Sequence, residues 1–343
     1  MLPDSMVQFH ATPPLALSFA GTADAPARHL SVDGMTPHGP NLSHWPGNRT
    51  PRHWKADLST GIALRFARAD ADERWVFLGD AEAVLNDHYD TDGFGSLLAV
   101  LRPDVALRRE EVLLAAAATG DFGTFSTWRG FAIDRIVANL AAPASPLAAS
   151  FTGLGSAERS LQRYRWLIDH AEQVLDHPES LRGLYDDELQ RQRDELDRAQ
   201  RGALRRQLHG GLGLAVLHSD GPMRRMTLNT LAAAYRVLHV EQGQDGVRYR
   251  FHDRTESWFE LVTVQPLPRR DVRPLAQRLH QLEGDGGGQW CADAPDEPIP
   301  ELYCGVPAAQ EYGQLTRELR PSRLAPDVVE REFVAFFAAA EAS

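Results

Sequence analysis

The sequence predicts an α/β protein in two lobes: a mostly parallel-sheet N-terminal domain and a smaller α/β C-terminal domain, joined by a helical linker. Three observations carry that expectation. Short apolar runs such as His29–Asp33 and Ala83–Leu85 alternate with longer segments of helical period, the order that βα units produce. At 343 residues the chain is longer than one hydrophobic core usually organises. Between its halves runs a charged stretch, Asp186–Gln207, whose Arg, Glu and Gln residues can pair at i,i+4 as on a solvated connecting helix.

Residues 1–27 are loosely patterned. His29–Asp33 reads as a strand, Asn41–Pro51 as a loop and Gly61–Ala67 as an alternating strand. Trp75–Leu78 and Ala83–Leu85 are short apolar segments on either side of Gly79-Asp80. Helices are expected over Phe94–Leu101, Arg108–Ala118 and Phe131–Asn139, followed by a Pro/Ala/Ser linker at Ala141–Ser150. Residues 156–209 are strongly helical. Leu212–Leu217 reads as a strand and Met223–Val237 as a helix. Tyr249–Thr255 and Trp258–Val264 read as paired strands, Asp271–Leu282 as a helix and Asp293–Glu301 as a Pro-rich loop. Val328–Ala340 closes the chain as a helix with Phe333, Phe336 and Phe337 on one stripe. The expected domains are 1–150, a linker 151–209, and 210–343.

The densest chemistry is Asn86–Ser96, after the apolar run Ala83–Leu85 and before Leu97–Leu101. His88, Asp90 and Asp92 stand two apart, so at an extended strand end they point the same way. Two carboxylates and an imidazole suit a divalent cation such as Mn, Fe or Zn. The carboxyl edge of an open α/β sheet is where sites collect. Asp and Gly after a strand are also ordinary turn chemistry. His88 at matching parity, with a helix starting directly afterwards, favours the metal site.

His88-Tyr89-Asp90-Thr91-Asp92-Gly93, with Gly95-Ser96 behind it, resembles motif I of the DHH phosphoesterases. Leu113–Gly123 is similar to the Ala-rich segment ending in Gly-Asp that follows motif I in that family, which implies that Asp121 lies close to the metal. Tyr249–Thr255, Trp258–Val264, Asp271–Leu282 and Gly286–Gly288 resemble a DHHA1 substrate-binding domain. The resemblance implies two Mn or Mg ions and hydrolysis of a phosphodiester, phosphoanhydride or short oligonucleotide. It covers about half the chain and departs at two points. No Asp-His-His triplet exists, Asp169-His170 lying in a segment of helical period, and the glycine loop ends in Gln289-Trp290 instead of a His.

A second constellation is Ser43–Pro51, where two prolines and a glycine pin a loop carrying His44, Asn48 and Arg49. Arg49 can clamp a phosphate and Asn48 can donate to the same oxyanion. A proline-fixed turn with Trp45 in the core is the plainer alternative. A two-ion centre needs more ligands than motif I supplies, so His44 is expected to join it as ligand or general acid, with Asp33 and Asp57 as further upstream carboxylates. The ligand set is then His44, His88, Asp90, Asp92 and Asp121, with His44 and Asp121 also catalytic. Arg49, Asn48, Arg254, His252, Gly287 and Gly288 are the expected substrate contacts, the glycines through backbone amides.

The net charge of −11, without a dense basic cluster, argues against long duplex nucleic acid but allows a small phosphorylated or nucleotide-like substrate beside a metal. Cys291 and Cys304 are too few for a disulfide scaffold and read as free. Leu15–Ala20 is too short to span a membrane, so the expectation is a cytoplasmic protein without membrane contact, with a homodimer allowed. Two other functions compete with metal-dependent hydrolysis. One is a non-catalytic nucleotide- or metal-binding protein of the same fold. The other is a haloacid-dehalogenase-type phosphatase with Asp90 as nucleophile and Asp92 as acid/base. Against the latter, the apolar run ends at Leu85 and Phe94 stands where that motif has Thr.

Overall fold

The computed structural model describes residues 14–151, 153–285, 288–311 and 314–341. The chain is α/β and divides into two compact units. The first runs to Asp121 and adds Ser126–Leu189 and Phe259–Thr263; the second takes Phe122–Phe125, Gln190–Trp258 and the chain from Val264.

In the first unit, β1 (Ala16–Phe19), β2 (His29–Val32), β3 (Asn41–Leu42) and β4 (Ala83–Asn86) form a sheet ordered β1-β4-β2-β3, with every pairing parallel. Helices α1 (Ser59–Arg68) and α2 (Ala71–Leu78) precede β4. After it come α3 (Thr91–Leu101), α4 (Pro103–Leu107), α5 (Glu110–Asp121), α6 (Trp128–Ala138), α7 (Ser156–Asp169) and α8 (Ala171–Asp176). Parallel strands are buried on both faces, and Leu30, Val32, Val84 and Leu85 are accordingly apolar and sealed. One consequence fixes the site: the carboxyl ends of β2, β3 and β4 lie on one edge, so the residues just after Val32, Leu42 and Asn86 are neighbours.

Helix α9 (Asp186–Arg198) passes from the first unit into the second. There β5 (Leu204–His209), β6 (Leu214–Ser219), α10 (Arg225–Ala232), β7 (Arg236–Gly243), β8 (Gly246–Asp253), α11 (Arg273–Glu283), β9 (Gln289–Ala292), β10 (Glu301–Glu311), β11 (Gln314–Leu319) and α12 (Pro326–Glu341) follow. The mixed sheet runs β11-β10-β8-β7-β6-β5, with β9 also on β10; β6 and β7 pair in parallel and the other pairs are antiparallel. One core gathers Val216, Leu238, Phe251 and Leu302 from the strands with Leu279, Phe333 and Phe337 from α11 and α12.

Several expected elements change. Gly61–Ala67 lies in α1, not in a strand: Ile62, Leu64 and Phe66 suggested period two, but Ala63 and Ala67 are buried as well, as a helix packed closely on α3 requires. Trp75–Leu78 belongs to α2. Met223–Val237 is divided, because Ala233 turns left-handed (φ 53°) and the chain restarts as β7. The charged helix stops at Arg198; Gly202 (φ 100°) turns the chain into β5, so Leu204–Gln207 is strand. Residues 151–209 are accordingly not a segment apart, since α7 and α8 pack in the first unit and β5 in the second. Trp258–Val264 is irregular, and β9 to β11 have no counterpart among the expected elements. Both cysteines are free thiols. Among the described residues no helix is long and apolar enough to cross a membrane.

Candidate metal centre

Asp33 follows β2 directly, in the left-handed region at φ 63°. Its amide donates to the Leu42 carbonyl at 2.9 Å, and its carbonyl accepts from the Ser43 hydroxyl. Asn86, the last residue of β4, accepts from the Gly34 amide at 3.2 Å, and the Met35 amide donates to Asp87 at 3.2 Å. Gly34 has no room for a side chain, since a Cβ there would sit 1.8 Å from Asp87 Oδ1. The ends of β2 and β4 are thus held together through Asn86 and Asp87.

His44 lies two residues beyond β3 and is 1 % exposed. Its Nδ1 is 2.7 Å from the Asp57 carbonyl and must donate there, so in the neutral ring the lone pair is on Nε2. Nε2 stands 3.3 Å from Asp121 Oδ2, 3.7 Å from Asp92 Oδ2 and 3.9 Å from Asp33 Oδ1. Asp92, in the first turn of α3, accepts from the Ser59 and Thr60 amides at 2.8 and 2.7 Å. Its carboxylate therefore rests on the positive end of α1. Asp121 arrives as the last residue of α5.

A second group adjoins the first. His88 Nε2 is 3.0 Å from both Asp33 Oδ2 and Asp90 Oδ2, while its Nδ1 is 2.8 Å from Asp87 Oδ1. Asp90 caps α3 through the Gly93 amide at 2.8 Å. Asp33 belongs to both groups, one oxygen in each.

Ligand atoms of Asp33, His44, Asp92 and Asp121 all lie within 4.8 Å of one another, as do those of Asp33, His88 and Asp90. Among the described residues, His44 Nε2 and Asp33 Oδ1 are fully buried without a hydrogen-bond partner. Burying such atoms unpaired is costly. Donors that share an ion at about 2.0–2.2 Å lie roughly 3–3.6 Å apart, near the separations around His44 Nε2. The first group therefore fits a divalent cation. The second has the right donors, but His88 already closes it with hydrogen bonds.

The electrostatics agree. Burial, then Asp90 and Asp92, push the Asp33 carboxyl well above its ordinary range; burial, then Asp92 and Asp90, do the same to Asp121. Burial also opposes ionisation of Asp90, but His88 outweighs it and holds that carboxyl low. Burial would lower the His88 imidazole, yet Asp90 and Asp33 hold it far above its ordinary value. The site concentrates negative charge that a cation would neutralise.

Of the expected ligands, His44, Asp92 and Asp121 meet at one point and His88 and Asp90 at the next. Asp33, expected only as a reserve, is their common member. Asp57 serves through its backbone, orienting His44. Asn86 was not singled out in the sequence, nor was Tyr164, whose hydroxyl accepts from the Asp90 amide at 3.0 Å. Asp90 lies well beyond the tip of β4, contrary to the haloacid-dehalogenase arrangement. The expected substrate contacts fare differently. Arg49 donates to the carbonyls of Gly39 and Thr36, and Asn48 to Glu260, so both fasten loops. In the second unit, Arg254 pairs with Glu256 and His252 Nε2 meets Asn229 at 2.8 Å. Gly288 is packed: a Cβ would meet Cys304 Sγ at 2.2 Å, so it is no open phosphate cradle. Gly286 and Gly287 lie outside the described residues. His170 packs on Trp166, with ring centroids 4.3 Å apart.

No curated protein and no solved structure matches the chain. A family model described as Family of unknown function (DUF6687) matches residues 16–343, and the chain belongs to that family.

Proposed function

We propose that this protein is a metal-dependent phosphoric ester hydrolase acting on a small phosphorylated or nucleotide-like substrate. The observation that carries the reading is the convergence of His44, Asp92 and Asp121 with Asp33 around a buried, unpartnered imidazole nitrogen. Asp33, His44, Asp92 and Asp121 would hold one ion, Mn or Mg; the other oxygen of Asp33, with His88 and Asp90, would hold a second only by displacing the His88 hydrogen bonds to those carboxylates. Bound divalent ions supply Lewis acidity toward a phosphoryl oxygen and a hydroxide at neutral pH.

The chain's own residues prepare the chemistry. The Asp57 carbonyl keeps the proton of His44 on Nδ1 and leaves its Nε2 as a donor; Asp87 holds the Nδ1 proton of His88, whose Nε2 would become a donor on releasing its own proton to an incoming ion. The Ser59 and Thr60 amides orient Asp92. His88 and Asp90 keep 31 % and 34 % of their side-chain surface exposed, against at most 7 % for Asp33, His44, Asp92 and Asp121, so substrate would approach from their side. The likeness of His88–Gly93 to motif I supports the same assignment, and kinship with the DHH phosphoesterases is part of the proposal.

One observation favours a second reading, ion binding without turnover: Arg49 and Asn48, expected to grip phosphate, are engaged within the protein. Elemental analysis after Mn reconstitution, with phosphate release from a panel of phosphodiesters, pyrophosphate and dinucleotides, separates the two. Mn-dependent release that Asp92→Asn abolishes is expected. Bound Mn with no release across the panel would select the second reading, and no bound ion would defeat both.

A further inference from the structure

Residues Phe259–Thr263 stand apart in sequence from everything else in the first unit, yet they meet the His44 loop at every turn. The Phe259 ring lies against the His44 imidazole, with centroids 3.8 Å apart and planes inclined by 18°. The Glu260 amide donates to the His44 carbonyl at 2.8 Å. The Glu260 carboxylate accepts from the Gly47 amide at 2.9 Å, from Asn48 Nδ2 at 2.8 Å and from Lys55 Nζ at 2.7 Å. The Asp57 carboxylate takes the Val262 and Thr263 amides at 2.6 and 3.0 Å, and the Thr263 hydroxyl. Asp57 is also the residue whose carbonyl holds His44 Nδ1.

We infer that Phe259–Thr263 is a positioning strap for His44, with Phe259 and Glu260 its working residues. An imidazole on a flexible loop has two rotational freedoms and two tautomers to settle before Nε2 can serve as a donor. The strap restricts each of them. Stacking on Phe259 fixes the ring plane. The Glu260 amide and carboxylate fix the peptide of His44 and the turn at Gly47-Asn48. Clasping Asp57 from its side-chain end fixes the carbonyl that selects the tautomer. The geometry also accounts for Asn48: its amide is spent on Glu260, which makes the Ser43–Pro51 loop a support for a ligand instead of a substrate grip. Lys55 balances the Glu260 charge, so the clasp adds no net charge beside the centre. Partners that orient a metal-bound imidazole typically change ion affinity by about 10–100-fold when removed.

This inference rests on the metal centre proposed above, and the experiment keeps the two apart. Mn affinity is measured by competition with a chromogenic chelator, and the Co-substituted protein is followed by its visible absorption, for wild type, His44→Ala, Phe259→Leu, Phe259→Tyr and Glu260→Ala. His44→Ala is expected to weaken Mn binding strongly. Phe259→Leu and Glu260→Ala should each weaken it by about 10–100-fold and alter the Co spectrum. Phe259→Tyr, which keeps the stacked ring, should stay within about threefold of wild type, a rescue that general loss of packing would not give. Unchanged affinity in His44→Ala would defeat the metal centre itself. A loss in His44→Ala with wild-type affinity and spectrum in both Phe259→Leu and Glu260→Ala would overturn the strap. Should Phe259→Leu fail to fold, Glu260→Ala, at a half-buried position, decides alone by the same two outcomes.

Discussion

Asp33 shows how much a single backbone position can ask of one residue. It sits at φ 63°, a conformation that Asp and Asn tolerate better than most side chains, and it carries a carboxylate buried beside those of Asp90 and Asp92. Both features oppose folding of the ion-free chain, and both are retained where Asp33 is shared by two ligand groups. Strain and crowded charge of this kind persist where function over-determines them. Asp33→Asn keeps the amide-compatible backbone and removes the charge. In ion-free protein it is expected to raise stability by about 1–3 kcal/mol, read by urea denaturation, while Mn affinity falls at least tenfold. Equal or lower stability in the ion-free variant would show that crowding at Asp33 is not destabilising.

At the scale of elements, the centre depends on how closely α1 and α3 approach. Gly95 of α3 faces Thr60 of α1, and a Cβ at Gly95 would stand 2.2 Å from Thr60 Oγ1. The Thr60 amide is also one of the two that hold Asp92. Gly95→Ala should therefore separate the helices at that point, destabilising by about 1–3 kcal/mol and weakening Mn binding beyond what a distant core substitution of equal stability does; matched affinities in the two variants would refute the link. In the second unit, Asp253 ends β8 at 2 % exposure, and burial pushes its carboxyl up to about 6 against the opposing pull of Arg269 and Arg236. Unfolded, it returns to about 3.9. The folded chain binds this proton more tightly, so the contribution is fully present below about pH 4 and is lost as pH rises through about 6. The difference is at most about 3 kcal/mol. Asp253→Asn should flatten stability between pH 4 and 7, and an unchanged pH profile would count against it.

At the scale of the molecule, the legible parts of the sequence were those whose determinants are local. β4, α3 and the His88-x-Asp90-x-Asp92 spacing follow from residues adjacent in the chain. Asp33's role does not, because it is set by the sheet order β1-β4-β2-β3, which lays β2 beside β4. His44 is expected at the centre because motif I supplies too few ligands, but how its loop gets there is set by a distant contact, the pairing of β3 with β2. The strap was invisible, since Gly47 and Glu260 are 213 residues apart. Such a centre, assembled from distant segments, makes ion binding a global stabiliser. An ion that binds only the folded chain adds about 2.7 kcal/mol at a hundredfold excess over its dissociation constant. For units of this size that raises Tm by roughly 5–10 °C. Mn-loaded wild type should therefore melt above chelator-treated wild type, whereas for Asp33→Asn, with its affinity at least tenfold lower, the same Mn should raise Tm by no more than about half as much. The variant should also be the more stable of the two without Mn, and that advantage should shrink or reverse when Mn is added. Calorimetry of the four samples tests both statements. If chelation leaves the wild-type Tm where Mn put it, the cluster around His44 is not an ion site, and its buried unpartnered nitrogen needs another explanation.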